Sequence, residues 1–194
     1  MANHAEVSKR IVVEHGPDGA EARFSPDRLH RYQLCRTINR FGRGLDYRRV
    51  VFVMLNPSTA DAFKLDPTIT KCMRIATLLG FDRVDVVNLY SYRTPKPSVL
   101  AAHVREGLVR FPNGSDVLEW SGCGTENDAH IICACTLADL VIAAWGNDGH
   151  HGGITYDGKT RGAHVRECLQ ADGIELHHLG QHRQEQPPRS GVLV

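Results

Sequence analysis

Two asparagines, Asn56 and Asn88, each close an apolar run, Val50-Val51-Phe52-Val53-Met54-Leu55 in one case and Val84-Asp85-Val86-Val87 in the other. A carboxamide fixed at a strand end offers one acceptor and two donors, enough to orient a water or to read the hydrogen-bonding edge of a nucleobase. The competing reading for each is an Asx turn that satisfies local backbone, particularly for Asn56 before Pro57. Downstream of Asn56, Ser58 and Thr59 add hydroxyls, and Asp61 adds a carboxylate able to hold a water, accept its proton or stabilise a developing positive sugar. Asp66 is a candidate for the same work, with helix capping as its structural alternative. Tyr90, Tyr92, Trp145 and His151 offer flat faces for stacking. Lys64, Lys71, Arg93 and Arg189 offer phosphate contacts, with Ser58, Thr59 and Asn147 as further polar partners for a DNA strand. Against this stand the ordinary readings, in which aromatics near strand ends are core and isolated basic residues are solvated. The loop Gly146-Asn147-Asp148-Gly149-His150-His151-Gly152-Gly153 is polar and glycine-rich, as binding loops are. His150 and His151 could ligate a metal, but no spaced partner motif accompanies them.

Four apolar runs, near 50–55, 84–89, 140–145 and 174–179, read as strands, the first three of them buried, and helical patterns lie between them. The first helix has Asp66 as N-cap, Pro67 at its first position and an apolar stripe of Ile69, Cys72, Met73, Ala76 and Leu79, ending at Gly80. Further helices are expected from Ser98 to about Leu108, from Glu126 to near Leu137 and from about Thr160 to Ala171. Strands alternating with helices predict a three-layer α/β/α fold around a central, mainly parallel four-stranded sheet, whose strand exits share one edge. Residues 31–38 alternate apolar and polar side chains, which predicts an antiparallel or edge strand with one wet face. Residues 1–30 read as an N-terminal extension packed on the core, and 31–194 as a single domain. The segment 111–124 reads as loop or insertion.

The 194 residues are 42% hydrophobic and 23% charged with a formal net charge of +1, so a nucleic-acid surface would have to come from local clustering of charge. No apolar run reaches the roughly 18 residues that span a bilayer, and the N-terminus has no signal-peptide core, so a cytoplasmic location is expected. The six cysteines include no Cys-x-x-Cys pair and read as reduced structural thiols; Cys123, Cys133 and Cys135 lie close enough in sequence to keep a zinc or iron–sulfur site open. No metal or cofactor is expected. The chain has no Gly-x-x-x-x-Gly-Lys-Ser/Thr loop, no Gly-x-Gly-x-x-Gly after a strand and no Gly-x-Ser-x-Gly elbow, which lowers the standing of NTPase, dinucleotide and triad-hydrolase chemistry.

Leu55-Asn56-Pro57-Ser58-Thr59-Ala60-Asp61, Asp66-Pro67-Thr68, Asn88-Leu89-Tyr90-x-Tyr92-Arg93, Glu126-Asn127-Asp128 and Ala144-Trp145-Gly146 together resemble the DUF1643 family over roughly residues 31 to 180. The order of elements is also similar to the uracil-DNA glycosylase superfamily, especially its mismatch-specific branch. There a first strand ends in a water-activating Gly-Ile-Asn-Pro-Gly loop, a second in a base-reading asparagine and a third often in Trp-Gly. That resemblance implies that Asn56 positions the attacking water, while Asn88, with Tyr90, Trp145 and His151 beside it, binds a flipped base. It implies a monofunctional DNA glycosylase that leaves an abasic site, needs no cofactor and has DNA as its partner, with no obligate protein partner. Relatives of this kind that remove glucosylated hydroxymethylcytosine from phage DNA point to a modified viral base. The sequence departs from the pattern in Ser58 after the proline, in Met54-Leu55 before the asparagine and in lacking a His-Pro-Ser loop. In place of that loop stands a tail in which Pro188 and Arg189 could wedge into DNA. Asp61 has no counterpart, so its catalytic role rests on chemistry. Two further readings are a non-catalytic nucleic-acid- or nucleotide-binding domain and a hydrolase of free nucleosides.

Overall fold

The computed structural model describes residues 11–38, 47–109, 126–146, 155–156 and 159–179. Its centre is a seven-stranded mixed sheet. In chain order the strands are β1 (Val12–His15), β2 (Glu21–Phe24), β3 (Arg31–Thr37), β4 (Arg49–Met54), β5 (Arg83–Asn88), β6 (Leu140–Ala143) and, after a two-stranded ribbon of β7 (Thr155–Tyr156) and β8 (Lys159–Thr160), β9 (Leu176–His177). Four helices accompany them: α1 (Pro67–Leu78), α2 (Pro97–Val109), α3 (Asn127–Thr136) and α4 (Arg161–Ala171).

The spatial order is β1-β2-β3-β5-β4-β6-β9. Pairing is parallel from β5 through β4 and β6 to β9, and antiparallel from β5 outward through β3, β2 and β1. The four apolar runs therefore do pair in parallel, but they form only part of a larger mixed sheet. Residues 12–24, within the segment read as an extension, supply its two outermost antiparallel strands. The expectation for β3 needs correction on one point. It is antiparallel, yet it lies inside the sheet between β2 and β5, and Arg31 through Arg36 are all buried, so neither face is wet. Its polar side chains are buried because they bond to neighbouring backbone and side chains, for example Gln33 to Asp85 and Arg36 to the Cys35 carbonyl.

Side-chain alternation divides the core in two. Val50, Phe52, Val84 and Val86 pack with Ile69, Cys72 and Ala76 of α1 and with Ala60 and Ala62. Val51, Val53, Val87 and Val141 pack on the other face with Leu100 and Val104 of α2, Ile131 and Ala134 of α3, and Val165 and Leu169 of α4. The α1 stripe follows the helical period except at its end, where Leu79 is 46% exposed. Asp66 caps α1 by accepting from the Ile69 amide at 2.8 Å, and Thr160 caps α4 by accepting from Ala163 at 3.2 Å. Asp66→Ala is expected to cost about 1 kcal/mol, read as a lower urea midpoint with an unchanged slope.

The connections decide where a site can form. Chain leaving β4 enters α1 on one face, whereas chain leaving the neighbouring β5 and β6 enters helices on the other. Strand exits that diverge in this way open a crevice at the carboxyl edge of a parallel sheet. No helix among the described residues is long and apolar enough to cross a membrane.

Candidate functional site

The crevice lies at the exits of β4 and β5. Met54 and Asn88 are cross-strand partners at the end of the ladder, and the amides of Leu89 and Tyr90 continue the pairing to the Met54 and Leu55 carbonyls at 2.8 and 2.9 Å. Asn56 lies two residues beyond Met54, so strand spacing and rise put the Cα atoms of Asn56 and Asn88 roughly 8 Å apart. The two asparagines are therefore close enough to serve one bound group.

Their hydrogen bonding differs. The Asn56 Nδ2 donates to the Thr94 carbonyl at 2.8 Å and to the Pro57 carbonyl at 3.2 Å, which ties the β4 exit to the β5 exit. The amide orientation is fixed by those bonds, and Oδ1 makes none among the described residues. Asn88 is 1% exposed, and neither its Nδ2 nor its Oδ1 has a partner among the described residues. It follows Val84 and Val86 in the strand alternation, which directs it to the α1 face. A buried carboxamide with both ends unpaired is costly, on the order of 1–3 kcal/mol for each group left unsatisfied.

Asp61 has a local role that the sequence did not reveal. Its Oδ1 accepts from the Phe63 and Lys64 amides at 2.9 and 2.8 Å, forming the turn that carries the loop toward α1. Burial raises its pKa, but the two backbone bonds and the charges of Arg93 and Arg36 outweigh that and hold the carboxyl below its ordinary value. Two arginines of β3 hold the same loop from beneath. Arg31 Nη1 donates to the Ala60 carbonyl at 2.7 Å, and Arg36 Nη2 donates to the Asp61 carbonyl. Arg93 reaches the Arg28 carbonyl at 3.1 Å and lies over the Phe24 ring, 4.9 Å from its centroid. Ser58 is half-buried on the loop, while Thr59, Lys64 and Lys71 are exposed.

The aromatic residues divide differently from the sequence expectation. Tyr90 and Trp145 are 0% and 8% exposed and belong to the core formed by α2, α3 and α4, across the sheet from the α1 face to which Asn88 points. Neither presents an open ring to the crevice, because the turn after each strand directs it inward. Tyr92 stacks on His103 with centroids 3.9 Å apart and meets His30 edge-on. Tyr32 stacks on His130 at 4.7 Å. His151, Asn147, Arg189 and Pro188 lie outside the described residues, as does Cys123. Among the described residues no three His, Cys, Asp or Glu side chains gather to hold a metal ion. Burial raises the thiol of Cys72 to about 11 and that of Cys135 to about 12.

Burial lowers the pKa of both His30 and His130; the charge of Asp27 partly opposes it at His30, while His103 at His30 and Arg23 at His130 add to it. An unfolded chain takes up protons on these rings below about pH 6.5, before the folded protein does, so folding stability falls as pH drops from that value through the lowered folded pKa. Thermal melts by circular dichroism at pH 7.5 and 5.5 are expected to show a lower Tm at 5.5, with a smaller pH-dependent loss in His130→Phe.

A second polar cluster, not foreseen in the sequence, lies on the opposite face. Arg161 is fully buried, donates from Nε to the Leu89 carbonyl at 2.8 Å, and forks onto Asp128 through Nη1 at 3.1 Å and Nη2. Asn127 donates to the Asn88 and Leu89 carbonyls at 3.0 and 3.1 Å. Together they fasten the start of α3 and of α4 to the backbone that carries Asn88. His164 Nε2 meets Asp128 at 3.1 Å and Cys168 Sγ at 3.6 Å. Burial, with the charge of Asp128 adding to it, raises the Cys168 thiol pKa, which favours the thiol over the nucleophilic thiolate.

A family model described as "Protein of unknown function (DUF1643)" matches residues 31–188. The chain belongs to the DUF1643 family. No curated protein and no solved structure matches it. In this DUF1643 protein the matched span contains the whole β4–α1 loop, Asn88 and the Asn127-Asp128-Arg161 cluster.

Proposed function

We propose that this DUF1643 protein is a DNA glycosylase that flips a modified nucleotide into the crevice at the exits of β4 and β5, hydrolyses its N-glycosidic bond and leaves an abasic site. The observation that carries the reading is the Asn88 carboxamide, fully buried at a strand exit and without a partner on either atom among the described residues. A flipped base supplies the complementary donor and acceptor side by side on its Watson–Crick edge, and binding it offsets the cost of burying the amide empty. Asn56 takes the water-positioning role that the similarity to the uracil-DNA glycosylase superfamily implies. Its Nδ2 is anchored on Thr94, which leaves Oδ1 to accept a hydrogen bond from the attacking water and orient it. Asp61, ionised through the neutral range, is a weak proton acceptor and acts as a charge that favours the sugar cation. Lys64 and Arg93, with Ser58 and Thr59, serve the phosphates flanking the flipped nucleotide. The favoured substrate is a modified base such as the glucosylated hydroxymethylcytosine of phage DNA, and the favoured setting is antiviral defence or base-excision repair.

The test is incubation with DNA carrying uracil, a mismatch or glucosylated hydroxymethylcytosine, followed by detection of alkali-labile sites and of free base by mass spectrometry. Release of one base class is expected, and release of none removes the excision reading. The hydrogen bonds of Asp61 and of Asn56 Nδ2 favour a second reading, a base-binding domain without turnover. Salt-dependent binding of modified DNA with no abasic product would support it.

A further inference from the structure

Arg31 and Arg161 are the two largest fully buried side chains of the described residues, and they are satisfied very differently. Arg161 has a carboxylate fork and a backbone carbonyl. The Arg31 side chain, 2% exposed, makes one hydrogen bond among the described residues, to the Ala60 carbonyl, and its Nε is buried with no partner among them. No carboxylate there forms an ion pair with it. The charged groups around it are Arg93, Arg36, Asp66 and Asp61, and both carboxylates are engaged by backbone amides, at Ile69 and at Phe63 and Lys64. Arg93 also has a buried Nε with no partner, and its guanidinium lies over Phe24, the cross-strand partner of Arg31.

A buried guanidinium lacking its counter-charge carries an uncompensated desolvation penalty. The site thus holds three guanidiniums to two carboxylates, with donors left open on the two arginines nearest each other in effect. Arg31 bonds Ala60 on the α1 face, the face to which Asn88 points, and its amide bonds the Ser91 carbonyl just beyond β5. The open cation and the open carboxamide therefore lie on the same side of adjacent strands, beneath the Asn56–Asp61 loop.

We infer that Arg31, together with Arg93, is an oxyanion site that binds a phosphoryl group of the nucleotide whose base Asn88 reads, an assignment that rests on the crevice being a nucleotide site. The ligand class follows from the donors. A guanidinium fork matches two oxygens of a phosphoryl group, and a phosphoryl group has further oxygen for a second arginine, whereas a carboxylate does not. Burial and the charge of Arg93 bring the Arg31 pKa down to about 9, so it remains a cation at neutral pH.

The experiment is a titration of the full chain with inorganic phosphate, a deoxynucleoside 5′-monophosphate and a short single-stranded DNA, each at constant ionic strength set with chloride. The readouts are the arginine Nε–Hε resonances and the Tm. A saturable shift of the Arg31 resonance is expected, with that of Arg161 unmoved. Binding is expected to weaken by at least about ten-fold in Arg31→Lys, which keeps the charge but loses the fork. Arg31→Met is expected to lose binding while melting at or above the parent temperature, since it removes an uncompensated cation. Response to the monophosphates alone marks a terminal phosphate as the ligand group, and response to DNA alone marks a phosphodiester. An Arg31 resonance that none of the three probes moves overturns the assignment. So does an Arg31→Met protein that binds like the parent, or one that melts well below it, because Arg31 is then a clamp on the loop. The two proposals fail separately. Phosphate binding at Arg31 with no base released from any DNA leaves the anion site and removes excision, whereas undiminished base release by Arg31→Met does the reverse.

Discussion

Asn88→Leu is expected to give a protein at least as stable as its parent and unable to process a substrate. Leucine has the same number and branching of side-chain heavy atoms as asparagine and carries no polar atom, so the change removes from the α1 face two buried groups without a partner among the described residues. Relief of that penalty is worth on the order of 1–3 kcal/mol, which in a domain of this size raises Tm by several degrees, at about 2–4 °C per kcal/mol. The same change removes the donor and acceptor that hold the departing base, and loss of one such preorganised contact lowers kcat by about 10²–10³-fold. Differential scanning calorimetry and base-release kinetics on one preparation measure both. A fall in Tm with activity retained would mean that Asn88 is bonded within the protein and reads nothing.

Asp128→Ala has the largest expected effect on folding. It strips Arg161, which is 0% exposed, of the Asp128 carboxylate onto which its guanidinium forks. Breaking a buried pair from one side costs about 3–5 kcal/mol, and the lower part of that range applies because the Asp128 side chain is 40% exposed and water can reach the gap. The double variant Asp128→Ala with Arg161→Met should recover most of the loss, and a urea denaturation cycle over the four proteins isolates the pair. Acid dependence follows from the same pair. Burial raises the Asp128 pKa, but hydrogen bonds and charge from Arg161, with His164 adding to them, outweigh that and lower it. The pair's stabilisation is therefore complete above the unfolded carboxyl pKa of about 3.9 and is lost as pH falls through the lowered folded value. An Asp128→Ala protein should lack that part of the acid transition.

The parts of this fold legible from sequence are those with local signals. Asp66 and Pro67 mark the start of α1 because a cap and a proline have few other uses in that order, and Ile69, Cys72 and Ala76 mark its buried face. Three of the four parallel strands, β4, β5 and β6, announce themselves as apolar runs because both their faces are covered, whereas β9 at the sheet edge leaves His177 exposed. Asn56 and Asn88 are recognisable as strand-exit residues, and the structure sets them at the ends of neighbouring parallel strands. Other features were hidden because their causes are not local. Residues 12–24 pair with a strand whose own partner, β5, lies some fifty residues further on, and β3 looks half-wet because its polar residues are satisfied across the sheet. Tyr90 and Trp145 looked like stacking platforms because sequence does not say to which face a residue beyond a strand end turns. Arg31 and Arg161 gave no signal at all, since an arginine's burial depends on carbonyls and carboxylates supplied by other elements. For Arg161 the available hint was Asp128, a carboxylate in the first turn of a helix and inside the family motif.

The β1–β2 hairpin lies before residue 31, where the family match begins, yet it sits against the loop that defines the site. Gly16 passes so close that a Cβ there would stand 2.1 Å from the Ala62 carbonyl oxygen, and Glu14 Oε2 comes within 3.5 Å of the Ala62 amide. β2 also pairs along Arg31–Cys35 of β3, which would otherwise be a sheet edge. Trimming the chain to its family boundaries would therefore do more than remove a tail. It would bare a strand with six buried residues in a row and leave its amides and carbonyls free to recruit another chain, so the shortened protein should associate through that edge rather than stay apart.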